Sequence, residues 1–187
     1  MKGSWMDSIT LMPYTTRDGI PTFRNSELAN IYARVFKEGW GLTMFDDGWC
    51  NKAQDWVEHI TSPVVMFWGV YHEQELMGFF YINRIEKTYG HLHFGFFKAW
   101  WGKYPEIMAA GKKALSLLLV QEYNGKPLFE LLLGMYPAWN KHLLAYIKRH
   151  GAKVGEEIPH LIWSASKGES LPGRIAAITK EDLKLGG

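Results

Sequence analysis

Residues 90–151, GHLHFGFFKAWWGKYPEIMAAGKKALSLLLVQEYNGKPLFELLLGMYPAWNKHLLAYIKRHG, switch hydrophobic period from strand to helix, back to strand and again to helix, and that order decides the fold. His91 to Ala99 alternates and is rich in aromatics, which predicts a strand. From Ile107 the apolar or small residues Ala110, Gly111, Ala114, Leu115 and Leu118 recur at helical spacing, and Pro105 supplies the fixed φ suited to a first turn. Lys126 to Met135, almost wholly apolar between Asn124-Gly125 and Pro137, reads as a strand covered on both faces. Ala138 to His150 returns to helical spacing and ends at Gly151, a residue free to take the left-handed conformation at a helix end.

This order sets the amides of Trp101, Gly102, Lys103 and Tyr104 at the entrance of a helix, where the macrodipole attracts anions. With Asn140 and Gly151-Ala152 downstream, the segment resembles the core of the GNAT acyltransferase superfamily. Judged by element order, the similarity runs roughly from Asn25 to Trp163. The resemblance implies an α/β fold: a central, mixed, mostly antiparallel sheet with helices on both faces. It also implies acyl-coenzyme A, typically acetyl-CoA, as co-substrate, and a small-molecule or protein amine as acceptor. No metal is implied.

Flanking segments fit the same scheme. Lys2 to Tyr14 is a candidate first strand, and Thr15 to Pro21, with Asp18-Gly19, a turn. A helix capped by Asn25 or Ser26 would bury Leu28, Ile31, Tyr32, Val35 and Phe36. Trp40 to Asn51 reads as a loop, followed by a short helix with Ala53, Trp56, Val57 and Ile60 on one side. Val64 to Tyr71 and Leu76 to Ile85, joined by His72-Glu73-Gln74-Glu75, predict an antiparallel hairpin. Gly155 to Ser164 adds a last strand or hairpin. Residues 1–164 are therefore expected to form one domain, with 165–187 a polar, Gly-rich extension that packs as a short helix near Arg174 to Leu185 or stays loose.

Composition narrows the function classes. A 187-residue chain that is 47% hydrophobic and 15% aromatic, with nine Trp, can bury a sizeable core. A formal net charge of +2 gives no pointer to nucleic acid or an anionic membrane. Cys50 is the only cysteine, which excludes an intramolecular disulfide and fits a reducing cytoplasm; no apolar leader or spanning segment is visible, so a cytosolic location is expected.

Transfer of an acyl group from a thioester to an amine needs a cradle for the donor phosphates, a dipole on the thioester carbonyl, a base for the amine and a proton for the leaving thiolate. The family's cradle is a Gln/Arg-x-x-Gly-x-Gly/Ala loop. Trp100-Trp101-Gly102-Lys103-Tyr104-Pro105 keeps one glycine and offers Lys103, but lacks the arginine and the second glycine; an ordinary helix entrance is the other reading. Gly95 marks either a strand bulge, which in the family turns an amide toward the carbonyl and so suggests Phe94 to Phe96, or relief of aromatic crowding.

His91 and His93 face one side of a strand, and a neutral imidazole there could serve as base; Glu130 is the other candidate, and a hydrogen-bonded structural role is the alternative for each. The family's tyrosine acid falls at Ile147, so adjacent Tyr146 substitutes only if the helix register differs, and a core tyrosine beside Leu143 and Trp139 is its other reading. Asn140 caps its helix or touches the pantetheine arm. Asp46 and Asp47, before Gly48, hold a cationic acceptor or simply make a turn.

Other chemistries lack their residues. His72-Glu73 has no second histidine in a zinc-protease pattern, the His91/His93 pair lacks neighbouring Cys or carboxylate ligands, and neither a Gly-x-Ser-x-Gly elbow nor a phosphate-binding Gly-Lys-Ser/Thr loop occurs. Direct attack of an amine on acyl-CoA, without a covalent enzyme intermediate, is the activity implied. The competing expectation is a GNAT-fold protein without catalysis, a binding or assembly component like divergent members carried by phages and prophages. Its motivation is the altered loop and Ile147, with Trp100, Trp101, Tyr104 and Trp139 as a partner surface. Oligomeric state is open on either reading.

Overall fold

The structure, a computed structural model, describes residues 8–183. Among these, eight strands form one sheet: β1 (Ile9–Pro13), β2 (Met66–His72), β3 (Glu75–Glu86), β4 (Tyr89–Phe96), β5 (Leu131–Pro137), β6 (Lys153–Val154), β7 (Ile158–Ser164) and β8 (Glu169–Thr179). Their spatial order is β1-β2-β3-β4-β5-β8, with β6 and β7 side by side along the outer edge of β8. Every neighbouring pair is antiparallel except β4 with β5. The helices are α1 (Asn25–Lys37), α2 (Gly41–Phe45), α3 (Ala53–Ile60), α4 (Tyr104–Leu119) and α5 (Lys141–Arg149).

Side-chain alternation along the strands gives each face its own helices. Phe67, Phe79 and Tyr81 point to one face, where the fully buried indole of Trp56 on α3 meets all three rings at centroid distances of 6.1, 5.4 and 5.6 Å. α1 covers the same face through Leu28, Ile31, Tyr32 and Val35, all buried at helical spacing. Its start is fixed by Glu27, whose carboxylate accepts the Arg24 amide at 2.7 Å, so the helix is closed from within rather than by Asn25 or Ser26. The opposite face carries Trp68 and Phe80, stacked at 4.8 Å, and receives α4 through Ala110, Ala114, Leu115 and Leu118. The core is thus an α/β sandwich with a mixed, mostly antiparallel sheet at its centre.

Three sequence expectations shift. The apolar run at Lys126 splits, because Asn124 and Gly125 take positive φ (54° and 78°) and close a hairpin between Glu122–Tyr123 and Lys126–Pro127, so β5 starts only at Leu131. Part of the expected 40–51 loop is helical, as α2. The tail set apart as an extension supplies β8, whose buried Ala176 and Ile178 lie beside β5 inside the sheet. The helix expected near Arg174 to Leu185 does not form over the described residues: 174–179 belong to β8, where pairing with β5 takes up their backbone groups, and Lys180–Asp182 makes a single 3-10 turn. The expected first strand begins, and the expected tail helix ends, outside the described residues.

Candidate functional site

β4 and β5 run parallel and pair only at Tyr89 with Leu131, Gly90 with Leu132 and His91 with Leu133. Beyond these, β4 follows β3 to Phe96 while β5 follows β8 to Pro137, and the sheet opens between them. Tyr146 of α5 sits against β4 at this point, its ring 5.3 Å from Phe94 and 6.0 Å from Phe96. Main-chain polarity follows from alternation: the Phe97 amide bonds Met77 on the β3 side, and the Gly95 carbonyl also faces β3, over Gly78. The amides of Phe94 and Phe96 therefore point into the opening, where strand pairing no longer uses them.

At the upper end of the opening lies the turn into α4. Lys98–Trp100 forms a single 3-10 turn, and the amides of Trp101 and Lys103 fold back onto the carbonyls of Lys98 and Trp100, both at 3.0 Å. Gly102 takes φ 91° with no atom within 4 Å of where a Cβ would lie, so a ligand can approach its backbone directly. Tyr104 and Glu106 carry first-turn amides that have no helical acceptor; Pro105 has none to offer. The cations near this entrance are stacked on rings: Lys103 Nζ 4.0 Å from the Trp100 centroid, Lys98 Nζ 5.6 Å from Trp101, and the Arg149 guanidinium 4.6 Å from Tyr104. The Trp101 indole donates to the Phe96 carbonyl at 2.7 Å and so stands at the mouth of the opening.

Glu38, at the end of α1, ties this turn to the other face. Its carboxylate accepts the Lys98 amide at 2.7 Å, Arg34 Nε at 2.8 Å and the Trp40 indole N–H at 3.1 Å. Burial alone would raise its pKa, but these three donors outweigh burial and hold it below the usual carboxylate range. The Trp40 ring, so anchored, lies edge-on over Gly95, where a Cβ would fall 2.5 Å from Cη2 and Cζ3.

No family model matches the sequence, and no curated protein is significantly similar to it. Solved structures are similar in fold. A spermidine N-acetyltransferase from Vibrio cholerae, in complex with CoA and spermine, shares a TM-score of 0.70 at 11% identity over 94% of this chain and 98% of that one. A ribosomal-protein-S5-alanine acetyltransferase from Vibrio fischeri gives 0.67 at 10% identity over 95% and 96%. A ribosomal L7/L12 alpha-N-protein acetyltransferase in complex with coenzyme A gives 0.65 at 10% identity over 96% of each. This chain has the GNAT fold.

Within the GNAT fold the sequence-predicted residues separate into groups. Phe94, Gly95, Phe96, Trp101, Gly102, Lys103 and Tyr104 gather at the opening and its upper end. No strand bulge occurs at Gly95, since β3 and β4 stay in register from Gly78–Phe96 to Asn83–His91; glycine is required there by the Trp40 ring. His91 and His93 lie on the α1–α3 side. His93 Nε2 is 3.0 Å from Asn83 Oδ1, and its ring lies parallel to Tyr81 at 4.5 Å. Burial, with His91, His59 and Arg84 nearby, pushes its pKa down to about 3, so the imidazole is neutral at ordinary pH. With Asn83 so oriented, the proton sits on Nε2 and the lone pair on Nδ1.

Other candidates are committed elsewhere. Asp46 accepts Ser164 Oγ at 2.5 Å and the Ser166 amide at 2.8 Å, clamping the α2–α3 loop to the β7–β8 turn. Asp47 is exposed; partial desolvation raises its pKa, opposed first by the backbone amides of Trp49 and of Asp47 itself and more weakly by Arg84. Tyr146 is enclosed, donates to the Ile107 carbonyl at 3.2 Å, and burial pushes its pKa far up. Asn140 Oδ1 caps α5 by accepting the Leu143 amide at 3.1 Å. Glu130 is exposed at the paired end of β4 and β5, its amide on the Thr88 carbonyl, away from the opening. Glu38, Trp40 and Arg149 were not legible in advance. Among the described residues no group of three His, Cys, Asp or Glu is placed to hold a metal.

Proposed function

We propose that this protein is an acyl-CoA-dependent N-acyltransferase. The observation that carries the reading is the opening between β4 and β5, with the amides of Phe94 and Phe96 turned into it beneath the entrance of α4. A thioester carbonyl laid beside Gly95 would meet main-chain donors where negative charge develops on its oxygen. The uncrowded backbone at Gly102, the Tyr104 amide and the cations of Lys103 and Arg149 would hold the donor's phosphates. The amine nitrogen attacks the carbonyl carbon; the C–N bond forms and the C–S bond breaks. The thiolate leaves and takes a proton from solvent, because Tyr146 Oη is spent on Ile107. His93 Nδ1 accepts the amine's proton, though its low pKa makes it a weak base, so the acceptor must arrive as the neutral amine. The acceptor is an amine of a small molecule or of a protein.

Calorimetric titration with acetyl-CoA tests this. Saturable binding, weakened by Gly102→Val and by Lys103→Ala, is expected; a well-folded protein that binds no acyl-CoA sinks the proposal. A second reading, a GNAT-fold binding or assembly protein of the phage-borne kind, is favoured by the Trp101 and Lys103 amides being satisfied within their own loop, and by exposed Trp101 and Trp139. Failure of the titration, together with a stable complex abolished by Trp101→Ala, would select it.

A further inference from the structure

Gly95 lies between the two amides that face the opening, so whatever acyl group they present must extend past this residue. On the α1–α3 face that path is closed by the six-membered ring of Trp40, which also lies on Phe79 at 6.2 Å and edge-on to Phe97 at 6.1 Å. On the opposite face it is closed by Phe94, Phe96 and Tyr146. The two walls differ in kind. Tyr146 is wedged between β4 and α4, where even Gly111 admits no Cβ without one falling 2.2 Å from Tyr146 Oη. Trp40 belongs to the short link between α1 and α2, is only partly buried, and is oriented by one hydrogen bond, to Glu38. Glu38 is itself fixed by Arg34, whose guanidinium lies 3.7 Å above the Phe97 ring, and by the Lys98 amide.

From this geometry we infer that Trp40 is the specificity-determining residue for the acyl donor, restricting it to acetyl or similarly short groups, with Glu38 as the residue that positions it. The inference rests on the acyltransferase reading and adds the class of donor. An acetyl group needs no room beyond the strand surface. An eight-carbon chain needs the volume that the Trp40 ring fills, and a close-packed wall yields such volume only by displacing the ring.

The test uses the full chain and three titrants, coenzyme A, acetyl-CoA and octanoyl-CoA, measured by calorimetry on wild type, Trp40→Ala, Trp40→Phe and Glu38→Gln, with initial rates on an amine acceptor alongside. Wild type is expected to favour acetyl-CoA over octanoyl-CoA by roughly 10-fold or more, the size of discrimination an apolar wall can give. Trp40→Ala should remove most of that ratio while leaving the affinity for unacylated coenzyme A near the wild-type value. Trp40→Phe and Glu38→Gln, which keep more of the packing, should give intermediate ratios; a purely structural role would lower stability without moving the ratio. An unchanged ratio in folded Trp40→Ala, or in folded Trp40→Phe and Glu38→Gln should the alanine variant not fold, overturns the inference while leaving the acyltransferase reading intact. Absence of binding of all three titrants by wild type overturns both.

Discussion

Replacing Gly111 by alanine tests how tightly Tyr146 is packed between β4 and α4. In an exposed helix interior this change would stabilise by about 1 kcal/mol, because alanine loses less backbone entropy and has the higher helix propensity. Here a Cβ would lie 2.2 Å from Tyr146 Oη and 2.5 Å from His150 Nε2, both far inside contact distance. Neither side chain has room to yield: Tyr146 lies against Phe94, Phe96 and His150, and His150 is 3% exposed. Overpacking of this kind costs about 1–3 kcal/mol. Displacing the Tyr146 hydroxyl from the Ile107 carbonyl costs about 1 kcal/mol more. The losses outweigh the propensity gain, so Gly111→Ala should be destabilised by about 1–3 kcal/mol in urea titrations, with a melting point several degrees lower. Tyr146→Phe removes the oxygen that meets the new methyl group, so the double variant should lose less than the two single changes together, by about 0.5–1 kcal/mol. A Gly111→Ala protein as stable as wild type, or a strictly additive double variant, would refute the packing of α5 on α4 described above.

Gly95→Ala places a methyl group 2.5 Å from the Trp40 ring, which would have to leave its packing on Phe79 and Phe97, and should lower stability by about 1–3 kcal/mol in the same assay; a neutral change would contradict the close approach. Asp46→Ala removes the acceptor of Ser164 and Ser166 and should cost about 1–3 kcal/mol, with faster amide exchange across the β7–β8 turn as its local signature. His93 and His150 are held neutral by burial, their pKa values pushed down to about 3 and about 4, whereas unfolded histidine titrates near roughly 6.5. Below about pH 6.5 the unfolded chain therefore takes up protons that the folded one refuses, and the urea midpoint should fall as pH drops toward about 4; a midpoint unchanged between pH 7 and pH 5 would contradict their burial. The pH–rate profile should lack an inflection near roughly pH 6.5 and rise instead as the acceptor's ammonium group loses its proton, an outcome that an assigned His93 titration near neutrality would overturn.

The order of elements could be read from the sequence because it is written in periodicity, a local signal. The apolar spacings of α1, α3 and α4, and the aromatic alternation of β4, survive without tertiary context. What escaped depends on neighbours distant in sequence. β8 opens on Glu169-Ser170 and is interrupted by Pro172-Gly173-Arg174, so it reads as a tail until β5 and β7 are seen on either side of it. Gly95 signalled a close approach, but only the fold shows that Trp40 makes it. Glu38 looks like an ordinary charged residue at a helix end, and its partner Lys98 arrives from the far side of three strands. Conversely, Asp46 looked available for an acceptor because sequence cannot show that Ser164 and Ser166 occupy its oxygens. Tyr146 fell one position from the family's tyrosine, and its burial against Phe94 explains the offset: the side chain serves as a wedge, with its hydroxyl directed to α4 rather than to the opening.

If the acyl donor binds in the opening between β4 and β5, it must cover the amides of Phe94 and Phe96. Residue-resolved amide hydrogen exchange, with and without acetyl-CoA, tests it most directly. The ligand should slow exchange at Phe94, Phe96, Gly102 and Tyr104 while leaving the amides of β2 and β3 unchanged. Unaltered exchange at Phe94 and Phe96 in the presence of saturating ligand would contradict it.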